Sequence, residues 1–260
     1  MKKYIINRYT LTVLGIIVFF LLWYLIFILA GSSVYIFPDP ISVIKEAGYY
    51  FTKPYLYKCI WGSFYRMMIG FSAASVLGIA LGMLVGNYTK MKYVFNPTII
   101  ALRSVPTAAL VFLLLVLVGF KNASLYIVMI IVFPMVYEAT VSGYQHIDPQ
   151  IIMAMRVDSP SSFANNFKIK LPMSMPYIAV GLTTSFALSF KIEIMAEALT
   201  SSSESYGLGR AISVAFANQT NGLVSTFAYA FIAILVMLIV SLLIFIIKRI
   251  FNINIKSLSN

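Results

Sequence analysis

The sequence predicts an all-α integral membrane protein with six transmembrane helices. Three observations carry that prediction. Of its 260 residues, 61% are hydrophobic and only 10% are charged, against about 25% charged in soluble domains. Apolar runs fall near residues 11–30, 62–85, 98–119, 124–143, 177–198 and 223–247, and roughly 20 such residues suffice for one helix to cross a bilayer. The runs are continuous and do not alternate apolar with polar, which argues against barrel strands and leaves helices to satisfy the backbone in lipid. Little chain remains between the runs, so residues 1–260 read as a single transmembrane domain with no large soluble unit.

The first run, LTVLGIIVFFLLWYLIFILA, follows Lys2, Lys3 and Arg8. It is longer than a secretory signal core and reads as a retained span. In the following segment Asp39-Pro40 marks a helix start, a capping side chain before a proline at the first helical position. A short interfacial helix is expected over 41–51, and Tyr49, Tyr50, Phe51, Tyr55 and Tyr57 suit the membrane boundary. In the second span Gly78, Gly82 and Gly86 lie four apart, the spacing of small residues that lets membrane helices pack closely. Pro97 and Pro106 should break or kink the start of the third. After the fifth span, TSSSESYGLGRAISVAFANQTNG holds Gly207 and Gly209. A dinucleotide fingerprint would need a third glycine where Ile212 stands, so a turn and a short helix are expected instead.

Charge sets the orientation. With the N-terminus inside, the inner segments carry eleven Lys and Arg and the outer ones five; Arg66, Arg103 and Lys191 lie in or at the edges of spans. The positive-inside rule therefore puts both termini in the cytoplasm. It also accounts for the net charge of +11 without nucleic acid. With one cysteine, Cys59, and one histidine, His146, the chain forms no internal disulfide and no Cys/His metal site.

The inner segment 144–176 is polar within a mostly apolar chain. Asp148-Pro149 and Ser159-Pro160 each pair a cap with a proline, predicting two short helices with a turn at Asp158–Ser159. The first carries Ile151, Ile152 and Met155, and the second carries Phe163 and Phe167 on one face. Pro172 and Pro176 are expected to end the unit before span five. Capped helices with paired aromatics present an apolar knob to a partner.

This loop resembles the coupling loop of permease subunits of bacterial ABC importers, whose pattern is E-A-A, three residues, G, nine residues, I-x-L-P. Aligned on Ile169, Leu171 and Pro172, the glycine position falls on Ser159 and the E-A-A positions on Met153, Ala154 and Met155. LRSVPTAALVFLLLVLVGF (102–120) is similar to the family's L-R-P-x-P segment, SFYRMMIGFSAASVLGIALGMLVG to its L-x-R-x-x-x-G-F span, and GLTTSFALSFKIEIMAEAL followed by GLGRAI to its A-E…G-L-G ending. Together they cover about residues 35–245, and the branch they most resemble imports nitrate, sulfonates, taurine and thiamine precursors. The resemblance implies a first helix before a five-helix type I importer core. It also implies a homodimeric pore, two cytoplasmic ATPase subunits that bind ATP and Mg, and a solute-binding protein outside. Met153, Ala154, Met155, Asp158, Ser159, Phe163, Ile169, Leu171 and Pro172 would then form the ATPase-coupling loop.

Charges inside the spans are the remaining candidates. Each costs at least about 2.5–3.5 kcal/mol at mid-membrane, so such residues face a bundle interior or a wet cavity. Glu193 and Glu197 share a face of span five, and Lys191 points elsewhere. Two readings stand: a pore lining with Lys191 paired to a carboxylate, or a structural ion-pair network or gate. Arg103 with Pro106 shapes an inner gate or simply snorkels to the interface. No Ser/His/Asp or Cys/His constellation and no G-x-x-x-x-G-K-[S/T] loop is present, so a non-catalytic subunit without its own cofactor is expected. The competing class is an ion-coupled secondary transporter using Lys191, Glu193 and Glu197.

Overall fold

A computed structural model describes residues 8–33, 36–120, 122–158, 165–200, 206–218 and 222–258. They are overwhelmingly helical. The elements are α1 (Arg8–Leu29), α2 (Pro40–Phe51), α3 (Pro54–Asn87), α4 (Thr89–Ser104), α5 (Thr107–Val118), α6 (Ala123–Gln145) and α7 (Pro149–Asp158). A π turn over Asn166–Lys170 then leads into α8 (Leu171–Thr200), followed by α9 (Leu208–Ala217) and α10 (Gly222–Leu258). Five helical segments are long and apolar enough to cross a membrane, and the α4–α5 pair makes six if its two arms count as one broken span.

Local chemistry explains the helix starts. Asp39 accepts from the Ser42 amide at 2.9 Å and Pro40 opens α2. Asp148 accepts from the Gln150 amide at 2.8 Å at the start of α7. The expected third span is two arms, α4 and α5, that meet at 98°. Its break falls at Val105–Pro106, where Val105 is extended, as expected before proline. Pro97 stays inside α4, where the neighbouring Asn96 accepts from the Tyr137 hydroxyl at 3.2 Å.

Span five departs from expectation at its start. Pro172 and Pro176 do not end the preceding unit: one helical run extends from Asn166 to Thr200. The π turn explains the difference. The Leu171 amide reaches back to the Asn166 carbonyl, and this wider turn carries the chain into the proline-containing start of α8 without a stop. Ser159 and Phe163, and with them the expected turn and the start of the second loop helix, lie outside the described residues, as do the side chains of Arg156 and Asp158.

The core is a slab of α3, α6 and α8. Gly78, Gly82 and Gly86 face α6: a Cβ at Gly82 would lie 2.5 Å from Thr140 Cβ, and one at Gly86 would lie 2.5 Å from Tyr144 Cβ. At one end α2, α9 and α10 close over the slab, with Tyr50 stacked on Tyr229 at 4.3 Å and donating to Ser225 at 2.9 Å. Helix α1 stands apart from this core. Its chief tie is Trp23, whose indole donates to the Pro38 carbonyl at 3.1 Å and packs beside Phe227.

Candidate translocation and coupling site

Polar side chains gather at three levels along the slab. At one end, Glu193 and Glu197 project from successive turns of α8 toward α3, and both are buried. Their cation is Arg66: Nε lies 3.1 Å from Glu193 Oε1, and Nη2 pairs with Glu197 Oε1. Ser124 donates to Glu193 at 2.8 Å, and Ser63 donates to Glu197 at 2.7 Å. The pairing with Lys191 is thus not formed. Lys191 is exposed, about 200° round the helix from Glu193 at 100° per residue, while Arg66 comes from 127 residues away.

The same cluster anchors α9. Glu197 Oε2 accepts from the Gly209 amide at 3.0 Å, Ser63 Oγ accepts from the Leu208 amide at 2.9 Å, and Arg66 donates to the Tyr206 carbonyl at 2.7 Å. A carboxylate at a helix N-terminus meets unsatisfied amides and the positive end of the dipole. This contact also explains the glycines. A Cβ at Gly207 would sit 2.5 Å from a Glu197 carboxylate oxygen, and one at Gly209 would strike the Ile194 carbonyl. The G-L-G turn is therefore a close-approach device of α8 and α9.

Midway, a cleft of about 750 Å³ opens between α6, α8 and the end of α4. Its polar lining is Arg103, Glu138, Ser142, Tyr177 and Thr184; Met135, Val180 and Pro176 supply apolar wall. Arg103 forms an ion pair with Glu138, both half-exposed. Pro106 sets the elbow just beyond Arg103. A smaller cavity of about 280 Å³ shares Glu138 and Ser142 and adds Lys92 and Asn96.

At the other end lies the 144–176 segment. In α7, Met155 is buried, while Met153 (72% exposed) and Ala154 face outward. Ile151 and Ile152 are half-buried. The exposed knob is therefore Met153–Ala154, with Met155 acting as its root. Phe167, 44% exposed, stands on the π turn. Ile169 and Leu171 are half-buried and Pro172 is exposed in the run into α8. His146 stacks on Tyr177 at 4.8 Å, which links the end of α6 to the cleft wall.

Sequence reasoning gave Arg66 no specific role, and it missed Ser63, Ser124 and Glu138 as site residues. Ser63 and Arg66 are three apart on α3, a helical pair aimed one way, which is a signal that could have joined them. Nothing local points from Glu138 to Arg103.

Comparison with known proteins matches the sequence to a family. Residues 74–257 match the family described as binding-protein-dependent transport system inner membrane component. A nitrate import permease protein, NrtB, of Synechocystis sp. is 30% identical over 196 residues, covering 71% of this chain and 70% of that one. A Bacillus subtilis relative named for aliphatic sulfonates transport is 27% identical over 184 residues, or 70% and 66% of the two chains. The bicarbonate transport system permease CmpB of Synechococcus elongatus is 27% identical over 201 residues, or 72% and 70%. With its set of apolar helices, the chain belongs to the binding-protein-dependent transport system inner membrane components and is a multi-pass permease subunit of a bacterial ABC importer of the nitrate/sulfonate/bicarbonate group.

Proposed function

We propose that two copies of this chain form the pathway for a small solute. An extracytoplasmic solute-binding protein presents that solute, and the 148–172 loop docks on two cytoplasmic ATPase subunits that bind ATP and Mg. The carrying observation is the conjunction of family membership with an apolar knob, Met153–Ala154, exposed on a capped helix in the polar segment between two spans. The excess of Lys and Arg on the same side puts this loop and both termini in the cytoplasm. ATP closing the ATPase pair pulls on the knob, and the run from Asn166 carries the motion into α8. Along the pathway, the cleft lined by Arg103, Glu138, Tyr177 and Thr184 is the solute's route, and the Arg103–Glu138 pair is its gate. A second copy supplies the missing wall. The buried Glu193–Glu197–Arg66 cluster holds the outer end together, and the exposed Lys191 faces away from it.

The test is co-purification with the ATPase encoded by a chromosomal neighbour, in mild detergent. A stoichiometric ATPase is expected with the native chain and is lost when Met153 and Ala154 are both changed to Asp. A native chain that purifies alone and drives uptake from an ion gradient would overturn the reading. Small oxyanions, the solutes for which the relatives above are named, are the first to assay.

A further inference from the structure

The end of α3 meets the start of span five through the Asn87 side chain. Asn87 is the last residue of α3. Its Nδ2 donates to the Asn166 side-chain oxygen at 2.7 Å and to the Met83 carbonyl at 2.9 Å. Its Oδ1 accepts from Lys170 Nζ at 2.7 Å. Both amide hydrogens and the oxygen are thus engaged, a set that neither Asp nor Leu reproduces. Asn166 and Lys170 are the first and last residues of the π turn, and π turns recur at functional sites. The turn is tied in the other direction as well, because Asn165 donates to the Met155 carbonyl at 3.4 Å, at the root of the exposed knob.

The far ends of the same two helices are also tied, by Ser63 and Arg66 to Glu193 and Glu197. Ser63 and Asn87 are 24 residues apart, about 36 Å of helix at 1.5 Å per residue. Helices α3 and α8 are therefore clasped at both ends, and α9 hangs from the outer clasp through Gly209 and Leu208.

We propose that Asn87 is a positioning residue that makes α3 and α8 move as one body when the loop is displaced, so that ATP-driven motion reaches α9 through Glu197. This rests on the coupling reading of the loop. The bland alternative is that Asn87 merely closes the last turn of α3 through Met83.

The experiment uses the assembled permease–ATPase complex in detergent and needs no solute. Cys59, the single cysteine, is replaced by Ser, and Val214, exposed on α9, becomes the sole thiol as Val214→Cys. Its labelling rate by a membrane-impermeant maleimide is compared without nucleotide and after trapping with Mg-ATP and vanadate. The expected result is a change of about threefold or more, a modest population shift. Asn87→Leu brings the ratio to near one while the ATPase subunits stay bound. The exchange Asn87→Lys with Lys170→Asn restores donation across the clasp and restores the ratio. If the ATPase does not co-purify with the native chain, the coupling reading fails by itself. If it does, and Asn87→Leu keeps the native ratio, or the native chain shows no change at Val214→Cys, the role of Asn87 is overturned. Should Asn87→Leu fail to assemble, the exchanged pair decides: assembly with a restored ratio supports the role, and assembly without one, or no assembly, leaves Asn87 a folding contact and overturns it.

Discussion

Arg66→Met tests the Glu193–Glu197 cluster most directly. Two buried carboxylates lean on that one guanidinium, and Glu193 is fully buried with Oε2 unpartnered. Met matches the stem but removes the charge and three hydrogen bonds, the tie to the Tyr206 carbonyl among them. Removing one partner of a buried pair costs about 3–5 kcal/mol. Arg66 keeps 16% of its side-chain surface, so the lower end, about 3 kcal/mol, is expected. At about 2–4 °C per kcal/mol for a chain of this size, the melting temperature should fall by about 6–12 °C. The protein carries its own probe: Cys59 is fully buried, and a thiol-reactive fluorophore reports its exposure on heating in detergent. Adding Glu193→Gln to Arg66→Met removes an uncompensated charge and should recover part of the loss. Lys191→Met, at an exposed position, should stay within about 0.5 kcal/mol of native. An Arg66→Met protein that melts within about 2 °C of native, no more than the shift expected from about 1 kcal/mol, would refute the claim that Arg66 neutralises the cluster.

Further outcomes follow from the other levels of the slab. Gly82→Val drives a side chain against Thr140 and should destabilise by at least about 1–3 kcal/mol in the same melt, while Gly15→Ala, with open space around it, should not. Arg103→Ala breaks a half-exposed pair worth about 0–1 kcal/mol to stability, so its melt stays native. Uptake by the assembled importer should nevertheless change about tenfold, equivalent to about 1.4 kcal/mol of barrier. Asp39→Ala removes the α2 cap at a cost of about 1 kcal/mol. Burial pushes the Asp39 carboxyl up, but hydrogen bonds from Ser42 and neighbouring amides outweigh it and leave its pKa below the usual value. Its stabilising effect is therefore present in full above the unfolded pKa of about 3.9. The effect fades as pH drops through the lower folded value, so the native melt should show an acid slope there that Asp39→Ala loses.

The contrast between what was and was not legible follows sequence distance. Asp39-Pro40 and Asp148-Pro149 were legible because a cap acts within three residues. The glycine ladder was legible because four-residue spacing maps onto one helical face. The third span was half legible: two prolines announced a break, but only the extended residue before Pro106 localised it. Pro172 and Pro176 misled, because a proline's missing amide signals a stop unless a wider turn precedes it. The partner of Glu193 and Glu197 was hidden in principle. Lys191 was two residues away and on the wrong face, while Arg66 came from another helix. Glu138 was invisible for the same reason, since only folding brings α4 to α6.

The elbow at Val105–Pro106 has an electrical consequence. Helix α5 has 12 residues, about 18 Å at 1.5 Å per residue, against a hydrocarbon thickness of about 30 Å. Backbone at a 98° break survives at such depth only where protein or water covers it. Where water reaches the bend, the insulating layer shrinks to little more than the α5 arm. The transmembrane voltage then drops across that thinner layer, and the field on a charged solute there is steeper than in the surrounding bilayer.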